Sequence, residues 1–250
     1  MPDLWAGILA TEGLPWIIAA AFVASMVRGF SGFGTAMIYL PVAGQFLPPV
    51  WALVTLTVMD LVGPLPVLPK VWKDVHKRDL GRLFLGVVVT LPIGVAVLLA
   101  IDPQIFRYAV SFVALALLVV LVGGFRYSGT VRGSAVIGIG GASGFLGGVA
   151  GLPGPPVILF YMASPHGPAT IRANTMVFLL GFDVLLLGIL GLEGSLTLTP
   201  IALGLVLIVP TMLGVLVGGA IFRPEYEKSY RAVAYVIIAV SAISGLPFWS

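Results

Sequence analysis

Arg28-Gly29-Phe30-Ser31-Gly32-Phe33-Gly34 and Gly147-Gly148-Val149-Ala150-Gly151-Leu152-Pro153-Gly154-Pro155-Pro156 interrupt two long apolar stretches of this chain. Glycine and proline at this density oppose a continuous helix, because glycine loses most freedom on ordering and proline lacks an N–H. Hydrocarbon offers no water to a broken backbone, so such breaks persist only where protein or an aqueous cavity surrounds them. The surrounding composition makes that constraint apply. Apolar residues make up 59% of the chain and charged residues 9%, and the mean hydropathy is +1.12. A soluble domain carries about 25% charged residues. Here the charges cluster and leave uncharged runs long enough to span a bilayer. The expected class is an all-α, polytopic membrane protein with one transmembrane domain over residues 1–250. The alternating segments of an outer-membrane barrel are absent from the sequence.

The breaks divide their stretches into pairs of arms, 14–27 with 34–46 and 134–147 with 155–163. Uninterrupted spans are expected at 50–68, 83–100, 105–124, 174–190, 199–222 and 232–246. A full crossing takes about 20 helical residues. The arms fall short of that, so each pair reads as a re-entrant helix hairpin. The two halves also resemble each other. Gly29 and Gly32 correspond to Gly148 and Gly151, Thr55 to Thr175, and Arg107 to Arg231. Gly86 and Pro92 correspond to Gly204 and Pro210. This is the pattern of a diverged repeat, 14–124 and 134–247, each half with one hairpin and three transmembrane helices.

Basic residues set the orientation, because cytoplasmic loops are enriched in Lys and Arg. The segment from Lys70 to Arg82 carries Lys70, Lys73, Lys77, Arg78 and Arg82. With one hairpin and three crossings per half, Arg126, Arg132, Arg172, Arg223, Lys228 and Arg231 fall on that same side. Only Arg107 falls opposite, and Arg28 lies at a hairpin tip. An odd number of crossings per half inverts the halves and places both termini outside the cytoplasm. Asp3 and Glu12 at the start come without Lys or Arg, so no cleaved secretory leader is expected. The chain contains no cysteine, which removes thiolate and disulfide chemistry. Its net charge of +3 fits cytoplasmic loops better than nucleic acid, which is not expected as a partner.

A helix start presents free N–H groups and partial positive charge, and so attracts anions. The second arms start at Gly34-Thr35 and Gly154-Pro155. Matched breaks in two halves are the sequence sign of a secondary transporter's midplane site. The candidate contacts for a small anionic substrate are Arg28, Ser31, Gly32, Phe33, Gly34 and Thr35 at the first break. At and after the second they are Gly151, Leu152, Pro153, Gly154, Pro155, Arg172, Asn174 and Thr175. Arg28 is a charge inside a membrane segment, and its planar fork suits a carboxylate or sulfonate. The plainer alternative is a structural ion pair with Asp60. Arg172 either meets substrate or reaches the cytoplasmic interface. Asp60 and Asp183 are the acids within expected spans, and either carry protons or hold structure. Tyr39, Tyr161 and Thr55 are hydrogen-bonding neighbours. Gly140, Gly144 and Gly148, and also Gly214 and Gly218, form small-residue faces for helix packing inside the chain or in a homodimer. Gly138-Ile139-Gly140-Gly141 lacks the spacing of a dinucleotide fingerprint, and no P-loop is present. His76 and His166 lie in loops without metal-ligand spacing. No catalytic residues, metal or cofactor are expected.

At these motifs the chain resembles the TauE/SafE sulfite exporter family. The matching residues are Gly29-Phe30-Ser31-Gly32-Phe33-Gly34 followed by Pro41, the run Gly147 to Pro156 followed by Tyr161, and Arg172. Leu152-Pro153 stands where a more polar, glycine-rich pair is common. The resemblance implies a transporter of small anions, with sulfite and sulfonates such as sulfoacetate as candidates, exporting by use of an ion gradient. It also implies a multi-pass protein of the bacterial inner membrane. A passive anion channel built on the same hairpins is the alternative. An enzyme is not expected.

Overall fold

The computed structural model describes residues 2–31, 33–62, 68–123 and 133–246. Gly32, Arg126, Arg132, and the 63–67 part of one expected span lie outside the described residues. Regular structure among the described residues is helical: α1 (Pro2–Leu9), α2 (Leu14–Ser31), α3 (Thr35–Ala43), α4 (Pro49–Val62), α5 (Leu68–Val71), α6 (Lys77–Ala100), α7 (Pro103–Val122), α8 (Gly133–Ala150), α9 (Gly154–Ala163), α10 (Pro168–Leu192), α11 (Leu198–Ile221) and α12 (Glu227–Gly245). Short 3₁₀ turns sit at Trp72–Asp74 and Pro224–Tyr226.

Six of these helices, α2, α6, α7, α8, α10 and α11, are long and apolar enough to cross a membrane. The breaks fall where the sequence places them, between α2 and α3 and between α8 and α9. The first arms, however, are longer than expected. α2 continues through Arg28, Gly29 and Phe30 to Ser31 and spans 18 residues. α8 continues through Gly147 and Gly148 to Ala150 and also spans 18. Glycine inside a helix costs only about 1 kcal/mol relative to alanine, and packing offsets that here.

The chain forms two compact units, and neither is a sequence half. The first takes Met1–Met59, Ile101–Gly123 and Leu196–Ser250, and the second takes Asp60–Ala100 and Gly124–Ser195. Each break therefore packs against a helix from the other half. In the first unit α2 packs on α11, and α3 packs on α7 and α12. In the second unit α8 packs on α6, and α10 packs on α6 and α9.

Glycine permits both cross-half contacts. A Cβ on Gly29 of α2 would lie 2.6 Å from the Val215 carbonyl oxygen of α11. On Gly214 or Gly218 it would run into the α2 backbone at Phe22 or Met26. In the second unit a Cβ on Gly94 would lie 2.6 Å from the Phe145 carbonyl oxygen, and one on Gly148 would lie 2.8 Å from Gly94 Cα. On Gly86 or Gly140 it would collide with the backbone of the facing helix. Thr90 adds a polar link, its hydroxyl lying 2.7 Å from the Gly141 carbonyl oxygen. The small-residue faces thus serve contacts within the chain. The outward faces are apolar: Leu85, Val88, Val89 and Ile93 on α6 are more than half exposed, as are Val209, Met212, Leu213 and Leu216 on α11. Large apolar side chains turned outward suit lipid.

Gly140→Val and Gly218→Val should each push a helix pair apart, costing about 1–3 kcal/mol or more by overpacking. Gly138→Ala on the same α8 meets no atom within 4 Å and should melt like the parent. Thermal melting in detergent separates the two outcomes.

Candidate anion site

The first break is a short non-helical link closed by Gly34, whose φ of 103° lies in the left-handed region. A side chain there would have room, since the nearest atom to a Cβ is Ile238 Cδ1 at 3.6 Å. Glycine is needed for the backbone conformation rather than for space. Ser31 holds the link from within. Its hydroxyl lies 2.7 Å from the Val27 carbonyl oxygen and 2.9 Å from that of Phe33, and it donates its one hydrogen to either. Phe33 leans on Tyr235 of α12 with ring centroids 6.4 Å apart, and Phe30 leans on Tyr230 at 5.3 Å.

α3 then starts at Thr35 without a side-chain cap. The first N–H groups of a helix have no intrahelical partner. Thr35, Ala36 and Met37 each carry one, and the buried Thr35 adds a hydroxyl. Arg28 is half-buried on the last turn of α2. This start has the donors an anion requires.

The second break is built differently. Gly151, at φ 67°, ends α8, and Leu152 and Pro153 carry the chain into α9. All four residues from Gly151 to Gly154 are buried. The Ser143 hydroxyl donates to the Pro153 carbonyl oxygen and fixes the link to α8. α9 opens with Gly154-Pro155-Pro156 after a proline cap. Of these four residues only Gly154 has an N–H to offer. The helix dipole remains, while most of the hydrogen-bond donors are gone. In hydrogen bonding, the two starts are unequal.

Each unit anchors its short helix by a tyrosine. Tyr39 of α3 is fully buried, and its hydroxyl lies 2.8 Å from Thr55 Oγ1 of α4. Tyr161 of α9 accepts a 2.8 Å hydrogen bond from Asn174 Nδ2 of α10. Asn174 is completely buried, and its Oδ1 accepts the His76 backbone N–H at 2.9 Å. Both ends of the Asn174 amide are therefore engaged by protein. Arg172 is exposed and Thr175 half-buried on α10. Asp60 on the last turn of α4 and Asp183 within α10 are half-buried. An open recess of about 500 Å³ in the first unit is lined by Gln45, Asp102, Gln104 and Arg107 among others, and by none of the break residues.

The second unit also assembles a cluster that the sequence reading missed. His76, Asp79 and His166 bring their side-chain ligand atoms within 4.8 Å of one another. The histidines are 90 residues apart and carry no metal-binding spacing. The one local signal is the His76–Asp79 spacing at the start of α6.

The family model described as Sulfite exporter TauE/SafE matches residues 17–245, nearly the whole chain and both breaks. The chain belongs to the TauE/SafE family. Comparison with curated proteins and with solved structures gives no match. Membership in this family of membrane anion exporters, together with six candidate spans, makes the chain a multi-pass membrane protein.

Gly34→Ala should lower stability by roughly 1–2 kcal/mol, the cost of holding an L-residue left-handed. Gly154→Ala should be tolerated, because a Cβ there meets only ordinary contacts at 3.6 Å. Asn174→Ala should strip the His76 N–H and the Tyr161 hydroxyl of a partner, at about 1–3 kcal/mol for each buried group. Melting curves test all three, and amide exchange at His76 should quicken in the last.

Proposed function

We propose that this chain is a secondary transporter that exports a small anion, sulfite or an organosulfonate such as sulfoacetate, across the bacterial inner membrane. The reading joins membership in the family to one local observation: α3 starts uncapped beside a left-handed glycine, and the helix before it carries Arg28 in its last turn. Free N–H groups, the Thr35 hydroxyl and a guanidinium suit the oxygens of a sulfite or sulfonate group. The anion binds near the membrane midplane. Within the second unit, the start of α9, with Gly151, Leu152, Pro153, Gly154 and Pro155, offers an anion dipole and shape. An ion gradient drives alternating access, with Asp60 and Asp183 as the proton-carrying candidates. Pro92 in α6 and Pro210 in α11 interrupt the hydrogen-bond ladder of two long helices and give each a point of flexure.

Titration of purified protein with sulfite, sulfoacetate, taurine, acetate and phosphate provides the test. A true ligand raises the melting temperature in a saturable way. A shift selective for sulfite or sulfonates, lost in Arg28→Ala and weakened about 10- to 100-fold in Thr35→Val by loss of a charge-assisted bond, is the expected result. Absence of a shift with every anion would overturn the assignment of the anion contacts. In liposomes, uphill accumulation under an imposed ion gradient is expected, and purely downhill, non-saturating flux would make the chain a channel.

A further inference from the structure

We infer that His76, Asp79 and His166 form a binding site for a divalent transition-metal ion of the Zn²⁺ class. The inference is independent of the proposed transport function. His76 lies just before α6, Asp79 lies in the first turn of α6, and His166 lies in the connection from α9 to α10. Asp79 Oδ2 lies 2.8 Å from His166 Nε2 and 2.9 Å from His76 Nδ1. The two imidazole rings stand 4.6 Å apart between centroids. Ligand atoms that share one Zn²⁺ at about 2.0–2.2 Å stand roughly 3–3.6 Å from each other. To share one ion the two carboxylate–imidazole pairs need only open slightly, and the two imidazole nitrogens, within 4.8 Å of each other, need only draw together slightly.

Three further observations favour an ion over a closed hydrogen-bond network. His76 Nδ1 is buried and makes no hydrogen bond, despite its closeness to the carboxylate. A metal would satisfy that nitrogen. Arg82 Nη1 is 4.0 Å from Asp79 Oδ1, on the other carboxylate oxygen, which leaves Oδ2 facing both histidines. The backbone of His76 is already fixed by its N–H bond to Asn174, so the ligand is held before the ion arrives. Two imidazoles and a carboxylate suit Zn²⁺, Co²⁺ or Ni²⁺ and not Mg²⁺ or Ca²⁺, which prefer all-oxygen shells. Three protein ligands leave a position for water. A bound ion would tie the start of α6 to the α9–α10 connection.

Tag-free protein in detergent should take up one Co²⁺ or Zn²⁺ per chain, reversibly to EDTA, with the visible bands of low-coordinate Co²⁺. Its melting temperature should rise with the metal. His76→Gln and His166→Gln should each bind more than about tenfold more weakly. The chain contains only two histidines, both in this cluster, so a second readout needs no variant. Zn²⁺, but not Mg²⁺, should protect both from diethylpyrocarbonate. No saturable uptake by the parent protein, equal uptake of Mg²⁺, or unprotected histidines at saturating Zn²⁺ would each overturn the site.

Discussion

Close backbone contact between helices of opposite halves is the constraint on which each unit depends. Lipid supplies no hydrophobic drive between helices, so their association rests on packing and polar links. The chain meets this need with glycine. Gly29 on α2 faces Gly218 on α11, and Gly94 on α6 faces Gly148 on α8. The same solution thus appears once in each unit, each time joining the long arm of an interrupted pair to a proline-containing helix of the other half. Hydrogen bonding reinforces one pair through Thr90. Because the partners come from distant sequence, the long arm of each interrupted pair is packed by a helix of the opposite half.

This packing explains what was and was not legible in the sequence. The helical class, the place of each break and the small-residue faces were legible, because composition and glycine spacing report them directly. The ends of the first arms were not. Gly29, Gly147 and Gly148 look like breakers when read locally, whereas in the fold they lie inside helices. Gly29 and Gly148 face a partner backbone, and a Cβ on Gly147 would strike the Phe182 ring. Local propensity yields to tertiary contact at these positions. Nor did the sequence reveal the His76–Asp79–His166 cluster, since only folding brings residue 166 beside the start of α6. Asn174 was legible as a polar residue of interest, but its buried links to His76 and Tyr161 depend on the fold.

The two breaks solve one problem with different chemistry. At the first, Gly34 adopts a conformation that other residues hold only with strain, and α3 begins with its early N–H groups uncapped. At the second, prolines flank the single Gly154 N–H, and a serine from α8 accounts for the Pro153 carbonyl. Proline fixes φ and removes a donor together. The second start is therefore rigid and poor in hydrogen bonds, and the first is rich in donors. An oxyanion gains most from N–H and guanidinium groups, since bonds to charged partners are worth about 1.5–3 kcal/mol each. Within the proposed function, recognition of the anionic group falls mainly to α3 and Arg28. On that proposal Thr35 bears on affinity through a hydroxyl hydrogen bond to the charged anion, whereas Leu152, almost wholly buried, has no such side-chain bond to give.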